Sequence, residues 1–135
     1  MDNCIFCKLA NGVFPTNSIY EDEDFNVILD LGPATKGHAL ILPKNHYANL
    51  FELPENEAEH VMVIAKRMAA KMMEKLQCDG FNLVQNNGET AGQTVFHFHM
   101  HLIPRYENDN QKIAGNPTEM TQDELEAVKN QITES

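Results

Sequence analysis

Apolar residues along this chain recur at two spacings, and each spacing predicts a different element. Between Pro54 and Gln77, Val61, Ile64, Ala65, Met68, Met72 and Leu76 return every three or four positions, the period of one face of an α-helix. Glu57, Glu59, Lys66, Arg67, Lys71 and Glu74 fall on the other sides. One long helix is therefore expected from Pro54 to about Gln77, ended by Asp79-Gly80. Short apolar runs bounded by turn residues predict strands at Ser18-Ile-Tyr-Glu, Phe25-Asn-Val-Ile-Leu, His38-Ala-Leu-Ile-Leu and Phe81-Asn-Leu-Val-Gln. Pro43 should stop the third of these.

Residues 95–103, Val-Phe-His-Phe-His-Met-His-Leu-Ile, alternate strictly. In a strand, positions i, i+2 and i+4 share a face. His97, His99 and His101 should then point one way, and Phe96, Phe98, Met100 and Leu102 the other way, toward a core. This run and 81–85 should form a hairpin. Residues 4–10 read as a short helical turn. Thr121-Gln-Asp-Glu124 is a capping-box signature opening a last amphipathic helix, with Leu125, Val128 and Ile132 on one face. Five strands and two or three helices predict an α+β fold: a mostly antiparallel five-stranded sheet with one long helix and a C-terminal helix.

The 135 residues suit one domain, 1–135, with a motif-bearing part at 4–106 and a polar tail at 107–135. No membrane-spanning run or signal-peptide pattern is present, so a cytoplasmic protein without a membrane partner is expected. A net charge of −10 disfavours nucleic-acid polymers. Residues 31–51 and 90–106 nevertheless contain no Asp or Glu. A small anion could sit between them, or buried strands could simply exclude carboxylates; both readings stand at this point.

Candidate chemistry lies in two places. Cys4-x-x-Cys7 offers two thiolates on one turn, half of a tetrahedral zinc site, and His46 and His97 are candidates to complete it. Two buried cysteines and two unrelated histidines are the plain alternative. In the histidine run, same-face Cα atoms lie about 6.6 Å apart and the outer pair about 13 Å apart. One metal could take two neighbours but hardly all three. The row could hold a catalytic metal, or one histidine could be a nucleophile. Gly88-Glu-Thr-Ala-Gly92-Gln93-Thr94 leads into the row and offers N–H groups, an amide and a hydroxyl to a small anion.

His97-Phe-His99-Met-His101-Leu-Ile resembles the His-x-His-x-His-x-x motif of the histidine triad (HIT) superfamily of nucleotide hydrolases and transferases. Cys4-Ile-Phe-Cys-Lys-Leu, Pro15, Ile19-Tyr-Glu-Asp, Asp30, Gly37-His38-Ala-Leu-Ile-Leu-Pro-Lys-Asn-His46 and Gly92-Gln-Thr-Val resemble the same family in the same order. The resemblance implies that His99 attacks the α-phosphorus of a purine, AMP-like nucleotide and forms a nucleotidyl-histidine that water cleaves. His101 would assist proton transfer, with Thr94 and Gln93 on phosphate oxygens and Gly92 in the same loop. Asn86 would fix phosphate or ribose, and Asp30 would accept from ribose hydroxyls. Ile5, Phe6, Leu9, Ile28 and Leu31 would line the base pocket.

The resemblance to bacterial-type members further implies a structural zinc ion, Zn2+, on Cys4, Cys7, His46 and His97, with His38 supporting the catalytic histidines and no organic cofactor. A homodimer is implied as well, using the long helix's apolar face and the extended strand. Asn86 resembles the phosphoramidase branch, whereas Gly92-Gln-Thr-Val and Leu102-Ile-Pro-Arg105 resemble the diadenosine polyphosphate branch. A nucleoside phosphoramidate hydrolase is the expectation. A dinucleoside polyphosphate hydrolase and a zinc-stabilised nucleotide-binding module with little catalysis are its alternatives.

Overall fold

The computed structural model describes residues 3–134. Helix α1 (Ile5–Ala10) precedes strands β1 (Ser18–Glu21), β2 (Phe25–Leu29) and β3 (Ala39–Pro43). Helix α2 (Glu55–Leu76), strands β4 (Gly80–Gln85) and β5 (Met100–Arg105), and helix α3 (Gln122–Thr133) follow. The strands form one antiparallel sheet in the order β1-β2-β3-β5-β4.

Alternation along the strands divides the core between two faces. Val27, Ala39, Ile41, Met100 and Leu102 pack against Val61, Ile64, Ala65, Met68 and Met72 of α2. Ile28, Leu40 and Leu42 face the other way, against Ala10, Phe6 and Leu9 of α1. The sheet thus lies between the long helix and the short one. Helix α2 ends on Gln77 in the left-handed conformation (φ 56°) rather than at Asp79-Gly80, and Gly80 already belongs to β4. Gly37 (φ +93°) is required by a close approach, because a Cβ there would lie 2.5 Å from Leu76 Cδ1. This contact brings the start of β3, and with it His38, against the end of α2.

Four expectations are corrected. The histidine run is not one strand: β5 begins at Met100, so only His101 among the three lies in the ladder. His97 and His99 end a long loop from Asn86, fastened to another loop by a 2.6 Å bond from Phe98 N–H to the Tyr47 carbonyl. The alternation begins at His97: Phe98, Met100 and Leu102 are buried, but Phe96, expected in the core, is 53% exposed. Glu57, expected on an outer side of the long helix, is buried. The apolar face of α2, expected at a dimer surface, is covered by the chain's own sheet.

Helix α3 has the expected capping box, but none of its residues is buried. Residues 110–134 are exposed throughout. The tail leaves the domain through Arg105, whose guanidinium donates twice to Asp109 and once to Asn82.

The break in alternation sets a contrast. Phe98→Ala should lower unfolding stability by about 3–5 kcal/mol, and Phe96→Ala by no more than about 0.5 kcal/mol. Urea unfolding of the two variants checks this; equal losses would mean that the strand starts before Phe96.

Candidate active site

All three triad imidazoles lie on the α1 side of the sheet. Phe6 of α1 meets the His99 ring edge-on at 4.8 Å between centroids, and the His97 ring at 6.2 Å. A cleft of about 430 Å³ opens beside them. Its apolar wall includes Phe6, Leu9, Ile28 and Leu31, and its polar side includes Asp30, Thr94, His99 and His101. Leu40, Pro15, Thr16 and Asn17 also line it and were not anticipated. Leu40 was findable, since it shares a sheet face with Ile28; nothing periodic marks the 15–17 connection. Ile5, Asn86 and Gly92 lie outside this lining. A Cβ at Gly92 would meet the Asn86 side-chain amide at an ordinary 3.7 Å, so glycine answers there to the left-handed backbone (φ +99°).

Hydrogen-bond partners assign the imidazole protons, because a carbonyl only accepts. His99 Nδ1–H donates to the His97 carbonyl at 2.8 Å, which leaves the Nε2 lone pair free. Ala34 N–H donates to His38 Nδ1 at 3.0 Å, so the neutral His38 carries its proton on Nε2. That proton reaches His101 Nδ1 at 2.9 Å. His101 must then hold its own proton on Nε2. The two rings, 5.1 Å apart between centroids, offer complementary atoms: a lone pair on His99 and an N–H on His101.

Burial keeps the rings neutral. It lowers His99, against the opposing bond to the His97 carbonyl, and lowers His38 against Asp30. His101 is pulled down to about 4, by burial first and then by His99 and His38. Asp30 accepts from Gly32 N–H at 2.8 Å, with its second oxygen 3.6 Å from His38 Nε2. Gln93, expected from the resemblance to touch phosphate, is 2% exposed. Its oxygen accepts from Gly88 N–H, and its amide donates to the carbonyls of Ala48 and Val95. It fastens the loop.

Cys4, Cys7, His46 and His97 converge with their donor atoms within 4.8 Å of one another. His97 Nδ1 lies 3.4 Å from both sulfurs, and His46 Nδ1 lies 3.3 Å from Cys7 Sγ. Tetrahedral zinc with ordinary Zn–S and Zn–N bonds spaces its ligands about 3.3–3.8 Å apart, so the four residues fit the ion. His97 Nε2–H donates to the Pro43 carbonyl at 2.9 Å, which turns the Nδ1 lone pair toward the thiols. Without a cation, burial and then Cys4 push the Cys7 thiol up to about 11.

The model of the HIT domain matches residues 11–108. The chain belongs to the HIT family. An uncharacterized HIT-like protein of Methanocaldococcus jannaschii is 44% identical over 110 residues, 82% of this chain and 84% of that one. The adenosine 5′-monophosphoramidase of Saccharomyces cerevisiae is 40% identical over 118 residues, 87% and 72% of the two chains. A crystal structure from Streptococcus mutans superposes with a TM-score of 0.92 at 39% identity, covering 98% of this chain and 84% of that one. A Zn-bound histidine triad family protein of Mycobacterium smegmatis does so with a TM-score of 0.78 at 38% identity, covering 87% and 85%. Among the described residues of this HIT protein, no helix is long and apolar enough to cross a membrane.

Buried neutral histidines give this HIT domain a pH signature. The folded His101 value, about 4, lies below the ordinary 6.5, so between these values the unfolded chain binds more protons. Its stabilising contribution is complete above pH 6.5 and is lost as pH falls toward 4; His38 and His99 act in the same direction. Asp22, lowered from 3.8 to about 2 by bonds from Tyr20 and His60 against its burial, weakens the fold only at lower pH. Urea midpoints should therefore fall between pH 7 and pH 4.5, and His101→Gln should flatten that slope. A wild-type midpoint constant over this range would contradict the neutral assignment.

Proposed function

We propose that this protein hydrolyses nucleoside 5′-phosphoramidates or related nucleotide phosphoesters, with His99 as the nucleophile. The observation that carries this reading is the 2.8 Å bond from His99 Nδ1–H to the His97 carbonyl. It directs a neutral Nε2 lone pair into a cleft whose other ring, His101, presents an N–H. His99 Nε2 attacks the α-phosphorus, the N–P bond forms, and the bond to the leaving group breaks. His101 Nε2–H hydrogen-bonds the departing group, which takes the proton it needs from water, and His38 holds His101 in the donating tautomer. Water then cleaves the nucleotidyl-histidine, releasing the nucleoside monophosphate and restoring the ring.

Thr94 and the N–H groups of its loop are assigned to phosphate oxygens. Asp30 is assigned to the ribose, and Phe6, Leu9, Ile28 and Leu31 to the purine. Asn86, Gly92 and Gln93 act by shaping the 86–95 loop, and Ile5 contributes from the edge of α1. The cleft volume, about 430 Å³, suits one nucleotide better than a dinucleoside polyphosphate. The phosphoramidase activity named for the yeast relative supports the same leaving group.

Cys4, Cys7, His46 and His97 would hold a structural zinc ion, which tethers α1 and the 44–49 loop to the histidine segment. The zinc-bound mycobacterial relative supports that ligand class. The protein acts in the cytoplasm as a homodimer; exposed Met62, Val63 and Met73 on α2 and Leu83 on the edge strand β4 support an interface.

AMP release from adenosine 5′-phosphoramidate tests the reading. His99→Ala should lose at least about 10³-fold in kcat while remaining folded. His97→Ala should bind less zinc and unfold more easily. Equal rates in wild type and His99→Ala would exclude His99 as nucleophile; zinc-dependent turnover surviving in that variant would favour a metal-based mechanism.

A further inference from the structure

His99 is held by a peptide group that the sheet does not hold. The carbonyl of His97 accepts from His99 Nδ1–H, and the N–H of Phe98 belongs to the same planar unit. Since β5 begins at Met100, no β-ladder fixes this peptide. Its N–H goes instead to the Tyr47 carbonyl at 2.6 Å, in a loop that lies outside the helices and strands. That loop is itself tied to α2 through a side chain: the Tyr47 phenol donates to Glu57 Oε2 at 2.5 Å.

Glu57 is an unusual choice for that position. It is only 7% exposed, and its Oε1 has no hydrogen-bond partner among the described residues. An unpartnered buried polar oxygen is destabilising, because it gives up water and gains no donor. An apolar side chain in the first turn of α2 would avoid that penalty. What Glu57 supplies in return is a strong acceptor for one phenol, and that phenol belongs to the residue bracing the nucleophile's peptide.

We propose that Tyr47 and Glu57 are positioning residues for catalysis, locking the 97–98 peptide and through it the orientation and tautomer of His99. The proposal rests on His99 being the nucleophile. The route has three links: Glu57 accepts from the Tyr47 hydroxyl, the Tyr47 carbonyl accepts from Phe98 N–H, and the His97 carbonyl accepts from His99 Nδ1–H. Hydrogen bonds arranged head to tail through one peptide polarise it, which strengthens its carbonyl as an acceptor. Releasing the phenol lets the 97–98 peptide tilt, so that His99 meets phosphorus less often in line.

The test uses Tyr47→Phe, Glu57→Leu, their double variant and Glu57→Gln in the full chain, with folding verified by thermal melting. Tyr47→Phe and Glu57→Leu should each lower kcat for AMP release about tenfold, with KM within about twofold. The double variant should lose no more than the worse single one, because both break the same route. Glu57→Gln keeps an acceptor for the phenol and should recover most of the rate. Long-range proton–nitrogen spectra should report a single Nδ1–H tautomer for His99 in the wild type and a mixture in the two impaired variants. Folded variants with wild-type kcat and an unchanged His99 tautomer would overturn the proposal, as would Glu57→Gln being as slow as Glu57→Leu. A His99→Ala rate equal to wild type would instead defeat the nucleophile reading, and the tautomer spectrum would still report whether the pair holds the ring.

Discussion

A single carbonyl decides the chemistry that this site can perform. The oxygen of His97 can only accept, so the imidazole of His99 must put its proton on Nδ1 and its lone pair on Nε2. The opposite tautomer would aim an N–H at the cleft and leave no lone pair there. The same logic, inverted, applies to His101, whose Nδ1 accepts a hydrogen bond from His38 Nε2–H and which therefore carries its own proton on Nε2. Two chemically identical side chains, two residues apart, present opposite hydrogen-bonding atoms to the cleft because of what lies behind them.

Holding that carbonyl still is the task of the loop at 46–48. Each of its residues meets one part of the 93–98 segment. His46 approaches the thiol site shared with His97, Tyr47 accepts from Phe98 N–H, and Ala48 accepts from the Gln93 amide. Irregular backbone needs such partners, because its polar groups have no ladder to satisfy them. The three fastenings use a metal-type cluster, a main-chain bond and a side-chain bond, so the segment is braced by chemically independent means. The burial that keeps the imidazoles neutral follows from the same packing, with Phe6 and α1 closed over the rings.

The four-residue thiol and imidazole cluster gives α1 its place. A six-residue helix has little stability alone, yet it forms one wall of the cleft through Phe6 and Leu9. Its N-cap is Cys4, whose sulfur accepts from Cys7 N–H. The residue that opens the helix therefore also belongs to the cluster that ties it to the sheet.

Much was legible in the order of residues. Short apolar runs bounded by turn residues marked four strands, alternation marked the fifth although it begins only at Met100, the 3.6-residue period marked α2 and the capping box marked α3, because these signals express local backbone geometry and burial. The spacing of His97, His99 and His101 marked side chains that the structure sets in two places, His97 beside the thiols and His99 and His101 beside the cleft, and Cys4-x-x-Cys7 marked half of a metal-type cluster. The alternation failed at Phe96, which points to water, and Glu57 sat on a face that polarity alone would leave outside. Gln93 looked like a free donor and is a loop fastener. These differences share one cause. Side-chain partners between segments far apart in the chain, such as Tyr47 with Phe98 or His38 with His101, leave no periodic trace. The sequence by itself determined which residues could act, whereas only the tertiary structure decided which nitrogen of each ring carries the proton.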